Sequence, residues 1–159
     1  MRTVLIIVFV VYLAALTGLV LFKGPIFYRV VPATEEYKNK TEDASYRGYN
    51  LKPFKTIKAF MDPHPSTSFA SRFYNLAGNI ALFIPFGFLF PLVFRNRRGF
   101  GTMFLAAFLL SLFFEVFQFI TGIGQFDVDD LILNTLGGII GYILFALFNL
   151  LTSGRYVRR

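Results

Sequence analysis

The sequence contains no cysteine and no tryptophan, and His64 is its only histidine. Without cysteine the chain can form neither a disulfide nor a thiolate metal site. A single histidine, placed in a polar stretch, supplies neither a histidine-rich metal site nor a Ser-His-Asp triad. A glycine-rich nucleotide-binding motif is also missing. We therefore expect no metal and no cofactor.

Hydrophobic residues, in contrast, make up 55% of the chain, and charged residues only 16%. Soluble domains average about 25% charged residues. The apolar residues are concentrated in four segments, each long enough to cross about 30 Å of hydrocarbon as a helix. The sequence predicts a single all-α domain over residues 1–159, a polytopic membrane protein with one long loop at 23–72 and four transmembrane helices at about 3–22, 73–94, 102–121 and 131–151. The first segment exceeds the apolar region of a signal peptide, about 7–15 residues, so we expect it to be retained.

Acidic residues number 9 against 16 lysines and arginines, which gives a net charge of +7. No nucleic-acid-binding pattern accompanies this charge, so we expect no nucleic acid partner. We expect the lysines and arginines to contact lipid head groups and to set the membrane topology. Residues 95–98 hold three arginines, whereas the loop 122–130 has no lysine or arginine. This difference predicts a multi-pass protein of the cell membrane with both termini in the cytoplasm. Residues 49–61 mix basic and aromatic side chains, which suits a segment lying on the bilayer surface.

Polar side chains inside the hydrophobic segments are costly in lipid. By helical rise, Asn79 and Glu115 lie roughly 9 Å inside their segments and Asn134 roughly 4.5 Å, all from the same side. We therefore predict an intramembrane polar site formed by Asn75, Asn79, Glu115, Gln118 and Asn134. One interpretation is structural, with hydrogen bonds between helices worth about 0.6–2 kcal/mol each. The other is a polar pocket that binds a head group or a proton.

An acidic cluster, Asp127, Asp129 and Asp130, opens the fourth hydrophobic segment. Aspartate is a good helix N-cap, and acids in the first turn interact favourably with the helix dipole. The alternative is that these carboxylates, together with Arg72 at the start of the second segment, contact a lipid head group or a cation. The sequence shows no further ligand set for a metal, so we favour the helix-terminus interpretation.

Small residues and a proline mark positions of helix packing. Pro85 and Gly87 lie in the middle of the second segment, where proline removes a backbone hydrogen bond and kinks the helix. Gly137 and Gly141 form a G-x-x-x-G pattern in the fourth segment. This pattern is typical of helices whose backbones approach closely.

Several short motifs resemble one known family. They are NLKPFKTI at 50–57, NLAGN at 75–79, FIPFG at 83–87, EVFQ at 115–118, FDVDD at 126–130 and NTLGG at 134–138. In this order and spacing the chain is similar to the VanZ-like family of bacterial membrane proteins, over roughly residues 49–145. Gln125 stands near the position where some relatives carry an arginine, so the resemblance implies no arginine-dependent anion contact there.

The resemblance implies an integral membrane protein of the bacterial cell envelope. The namesake is associated with resistance to the lipoglycopeptide teicoplanin, so we expect a protein linked to such resistance that binds or handles a lipid-linked envelope ligand. Expected partners are membrane lipid and a lipid-linked cell-wall precursor or a lipophilic glycopeptide. Two alternatives stay open: a membrane enzyme that acts on a lipid head group with Glu115 as acid and base, and a non-catalytic scaffold for another membrane protein. An enzyme would need Glu115, whereas a scaffold would tolerate Glu115→Gln.

Overall fold

The computed structural model describes residues 2–30, 49–60 and 69–152. Four of its helices are long and apolar enough to cross a membrane, which confirms the predicted all-α architecture with four spans. The elements in chain order are α1 (Arg2–Val30), β1 (Tyr49–Asn50), α2 (Lys55–Phe60), α3 (Phe69–Val93), a 3-10 turn (Arg95–Arg97), α4 (Phe100–Thr121), β2 (Phe126–Asp127) and α5 (Val128–Leu151).

The helix bounds differ from the predicted ones mainly around the long loop. Helix α1 continues to Val30 and α3 begins at Phe69, so both helices extend into the range 23–72 that was predicted as loop. That range also contains β1 and α2. Helix α5 begins at Val128 rather than at residue 131, because Asp127 caps it by accepting a hydrogen bond from the backbone N–H of Asp129.

Helices α3 and α5 form the centre of the bundle, with their backbones in direct contact. A Cβ atom added at Gly137 would overlap the carbonyl oxygen of Ile80, and one at Gly141 would overlap that of Ile84. On the α3 side of the contact, a Cβ at Gly87 would overlap the carbonyl oxygen of Gly138 in α5. Only glycine leaves room for helices this close, as in other small-residue membrane interfaces.

Helix α1 packs on α3, and α4 packs on α5. Tyr12 of α1 donates a hydrogen bond from its hydroxyl to the carbonyl oxygen of Leu82 at 2.7 Å. This bond lies in the turn of α3 just before Pro85, where the proline cannot supply a backbone donor. Tyr12 therefore joins α1 to α3 in the turn that precedes the proline.

Nine of the buried apolar side chains form two clusters: Phe9, Phe86, Phe90, Met103 and Ala107 in one, and Leu16, Val20, Phe83 and Phe114 in the other. Phe83 and Phe114 meet edge to face with ring centroids 6.5 Å apart, which is a favoured aromatic geometry. Many large apolar side chains on the outer faces are exposed. In a membrane-spanning bundle these faces contact lipid.

Candidate functional site

Asp129, in the first turn of α5, holds the short helix α2 in place. Its side chain is completely buried. One carboxylate oxygen accepts from the backbone N–H of Phe54 at 2.5 Å, and the other accepts from the backbone N–H of Ile57 at 3.2 Å. The first N–H groups of a helix have no partner within the helix, and a carboxylate is well suited to satisfy them. Asp129 therefore caps a helix that lies more than seventy residues earlier in the chain.

The chain turns sharply just before α2. Phe54 has a φ of 64°, a left-handed conformation that is uncommon for a bulky residue. Its backbone N–H is one of the two groups that Asp129 accepts. The carboxylate therefore stabilises a backbone conformation that the sequence alone does not favour.

Asp127 makes the second connection between the segment around α2 and the start of α5. Strands β1 and β2 pair in parallel, with Asn50 opposite Asp127. The side-chain amide of Asn50 donates to Asp127 Oδ1 at 2.9 Å, and the backbone N–H of Asp129 donates to the same oxygen at 2.8 Å. We call Asn50, Phe54, Ile57, Asp127 and Asp129 the clasp. It fixes residues 49–57 to one end of the helix bundle.

Glu115 connects α4 to the clasp. Its side chain is 2% exposed, and its Oε2 accepts from the backbone N–H of Asp127 at 2.9 Å. One turn further along α4, the side-chain amide of Gln118 donates to the carbonyl oxygen of Val20 at 3.0 Å. These two polar side chains of α4 therefore bond the backbone of neighbouring elements, Glu115 toward β2 and Gln118 toward α1.

One turn of α4 deeper than Glu115, a second polar contact joins α4 to α5. The side-chain amide of Asn134 donates to Ser111 Oγ at 2.9 Å, and both side chains are buried. Asn134 Oδ1 is buried without a hydrogen-bond partner among the described residues. Asn79 of α3 is also buried, at 3% exposure, and Asn75 is half-buried.

The predicted site residues therefore divide into groups. Glu115 and Asn134 bond Asp127 and Ser111, respectively, and the direct layer of Asn79, Glu115 and Asn134 stays a prediction. The carboxylates of Asp127 and Asp129 act within the clasp, and their predicted contact with a head group or cation stays untested. The side chain of Arg72 lies outside the described residues. Among the residues that the structure describes, no three histidine or acidic side chains are placed to hold a metal ion.

Comparison with known proteins assigns the family. The family model of VanZ/LLP1 matches residues 9–149, which include the clasp, the second and third spans and most of the first and fourth. The chain belongs to the VanZ/LLP1 family. It is 34% identical over 138 residues to a protein described as Protein VanZ from Enterococcus faecium, covering 87% of this chain and 71% of that protein. No solved structure matches the chain.

Two contributors to the site of this VanZ/LLP1 protein were not predicted as site residues. Asn50 belongs to a motif of the family resemblance, but its partner Asp127 is 77 residues away. Ser111 lies four residues before Glu115, on the same face of α4. This spacing was the feature of the sequence that could have identified Ser111 as a site residue. For Asn50, the available signals were its place in the motif at 50–57 and its polar side chain between Tyr49 and Leu51.

Substitution of Glu115 tests its bond to β2 in this VanZ/LLP1 protein. Glu115→Gln keeps an oxygen that accepts from the Asp127 N–H, whereas Glu115→Leu leaves that donor without a partner. An unsatisfied buried donor costs about 1–3 kcal/mol. We expect the leucine variant to melt clearly below the glutamine variant when the detergent-solubilised proteins are heated. Equal melting temperatures would contradict the assigned hydrogen bond.

Proposed function

We propose that this VanZ/LLP1 protein protects the cell against a lipophilic glycopeptide of the teicoplanin type by binding a lipid-linked anionic envelope ligand. The similarity to Protein VanZ supports the link to such resistance. The geometry of the clasp supports the ligand class. The binding surface that we propose is residues 49–58, called here the amphiphilic segment.

The observation that carries the proposal is what the clasp presents at its outer face. Three apolar side chains of the amphiphilic segment are exposed: Tyr49 at 69%, Leu51 at 61% and Phe54 at 51%. Three lysines alternate with them and are also exposed, Lys52, Lys55 and Lys58. Apolar rings beside cations suit an amphiphile whose anionic head group lies next to a lipid chain.

Lys55 is the most informative of these cations. It is the first residue of α2, and a cation at a helix N-terminus is disfavoured by the helix dipole. Its side chain is exposed, so its ammonium group is accessible to a ligand. A phosphate group bound beside Lys55 would interact favourably with its ammonium group.

The test is antibiotic protection in a susceptible host that expresses single variants. We expect Lys55→Gln and Leu51→Ser to lose protection against teicoplanin while keeping wild-type expression and melting temperature. Arg2→Gln removes the same charge from an exposed position at the other end of the bundle and serves as the control. The same variants are also tested against a glycopeptide without an acyl chain, which shows whether protection depends on the lipid part of the antibiotic.

Lipid mass spectrometry of the purified proteins identifies the ligand. We expect a lipid-linked anionic species to copurify with the wild type and with Arg2→Gln, and to be depleted in Lys55→Gln. Full protection by Lys55→Gln and Leu51→Ser would overturn the proposal. An altered lipid product that depends on Glu115 would favour the enzyme alternative instead.

The proposal includes an orientation with both termini in the cytoplasm and the clasp outside. Lys52 and Asn96 are exposed at opposite ends of the bundle. A cysteine placed at residue 52 should react with an impermeant thiol reagent in intact cells, and one placed at residue 96 should react only after lysis. The reverse pattern would invert the orientation.

A further inference from the structure

The turn between α3 and α4 carries the densest positive charge in the chain. Residues 95, 97 and 98 are arginines, and the turn follows the end of α3 at Val93. We propose that this turn binds the head group of an anionic phospholipid. The site lies at the opposite end of the bundle from the amphiphilic segment and does not depend on the proposed function.

Arg95 is the centre of the proposed site. Its side chain is half-buried, and its Nε is buried without a hydrogen-bond partner among the described residues. Buried donors in proteins are nearly always paired, and a charged one is especially costly when it is not. The guanidinium presents a planar set of donors that matches the oxygens of a phosphate group. A phosphodiester is therefore the partner that Arg95 fits.

The described part of the chain offers no anion at this end. Its four acidic residues are Glu115, Asp127, Asp129 and Asp130, and all of them lie near the clasp. Glu115 is fifteen residues along α4 from Phe100, which is roughly 22 Å at helical rise. At that distance, dissolved salt screens almost all of the attraction between a carboxylate and the arginines of the turn. No carboxylate among the described residues therefore neutralises Arg95 or Arg97.

The turn is held rigidly enough to present its cations together. The backbone N–H of Arg97 donates to the carbonyl oxygen of Phe94 at 2.8 Å. The hydroxyl of Tyr142 in α5 donates to the carbonyl oxygen of Arg98 at 3.2 Å. The first bond closes the turn itself, and the second fixes its C-terminal side to α5. The backbone that carries Arg95 and Arg97 is therefore well defined.

The surroundings of the turn favour a lipid over a soluble anion. Phe94 and Phe100 flank it and are 43% and 49% exposed, so large apolar rings lie beside the cations. Because two membrane-spanning helices end and begin here, the turn lies at the depth of lipid phosphates. Helix α4 also begins without a side-chain cap, so its first N–H groups can add to the attraction for a phosphate.

The experiment measures retained lipid by native mass spectrometry after exchange into nanodiscs that contain equal amounts of phosphatidylglycerol and phosphatidylcholine. We expect the wild type to retain phosphatidylglycerol preferentially. Removing one arginine from the site, in Arg95→Gln or Arg97→Gln, should lower that preference roughly fivefold. Arg95→Lys should also lose preference, because it keeps the charge but not the planar donors.

Arg2→Gln is the matched control, since it removes the same charge from the same end of the bundle. Its preference should equal that of the wild type. The proposal is overturned if Arg97→Gln, or a folded Arg95→Lys, retains phosphatidylglycerol like the wild type. It is also overturned if Arg2→Gln loses as much preference as they do. Arg97 is exposed, so Arg97→Gln decides the question even if the Arg95 variants fail to fold.

Discussion

Replacing Asp129 with alanine is expected to detach α2 from the helix bundle. The substitution removes both acceptors that bond the backbone N–H groups of Phe54 and Ile57. Hydrogen bonds to a buried charged group contribute about 1.5–3 kcal/mol each, so the contact should weaken by roughly 3 kcal/mol or more. The four long helices keep their own contacts, and the effect should be local.

Hydrogen exchange on the purified protein measures this prediction directly. The amide protons of Phe54 and Ile57 should exchange more than one hundredfold faster in Asp129→Ala, as about 3 kcal/mol corresponds to a factor above one hundred. Asp129→Asn is the matched control, because its amide keeps one acceptor and points a donor at the other N–H. We expect its exchange rates to fall between those of wild type and alanine. The same rates in all three proteins would show that the clasp does not hold α2.

Alanine at both Gly137 and Gly141 is expected to prevent α3 and α5 from packing. Each new methyl group would overlap a backbone carbonyl oxygen, at Ile80 and Ile84. A backbone oxygen moves only if the whole helix moves, so no side-chain adjustment relieves the overlap. Overpacking typically costs about 1–3 kcal/mol per site. The two sites together should therefore cost about 2–6 kcal/mol, a large share of the roughly 5–15 kcal/mol by which folded domains are stable.

The control for this substitution is Gly78→Ala, in helix α3 itself. A Cβ at Gly78 meets nothing within 4 Å, and alanine is the better helix former by about 0.5–1 kcal/mol. We expect Gly78→Ala to melt at or above the wild-type temperature, and the double variant to elute as aggregate in detergent. A well-folded double variant would show that the backbones of α3 and α5 are not in direct contact.

The four membrane-spanning helices could be predicted because the bilayer thickness fixes their length and lipid fixes their composition. The positions of Gly137 and Gly141 in a G-x-x-x-G pattern likewise indicated close packing, although nothing in the pattern identified Ile80 and Ile84 as the partners. A membrane-spanning helix and a G-x-x-x-G pattern can each be recognised within a single segment of the sequence, without knowledge of what that segment contacts.

The clasp could not be predicted in the same way. Asp129 was interpreted as an acid in the first turn of its own helix, while its carboxylate in fact accepts from Phe54 and Ile57. Backbone N–H groups occur at almost every position, so they leave no pattern in the sequence that marks them as partners. Similarly, the acceptor role of Glu115 toward the Asp127 N–H depends on how α4 and β2 meet in three dimensions.

The clasp also sets an order of events during synthesis of the chain. Asn50 precedes its partner Asp127 by 77 residues, and a ribosome adds about 5–20 residues per second. The segment around α2 therefore waits roughly 4–15 seconds after its own synthesis before its partners exist. Helices α3 and α4 are made within that interval, and the clasp closes only when α5 has begun. The segment around α2, although synthesised early, therefore reaches its final position only after β2 and the first turn of α5 have been made.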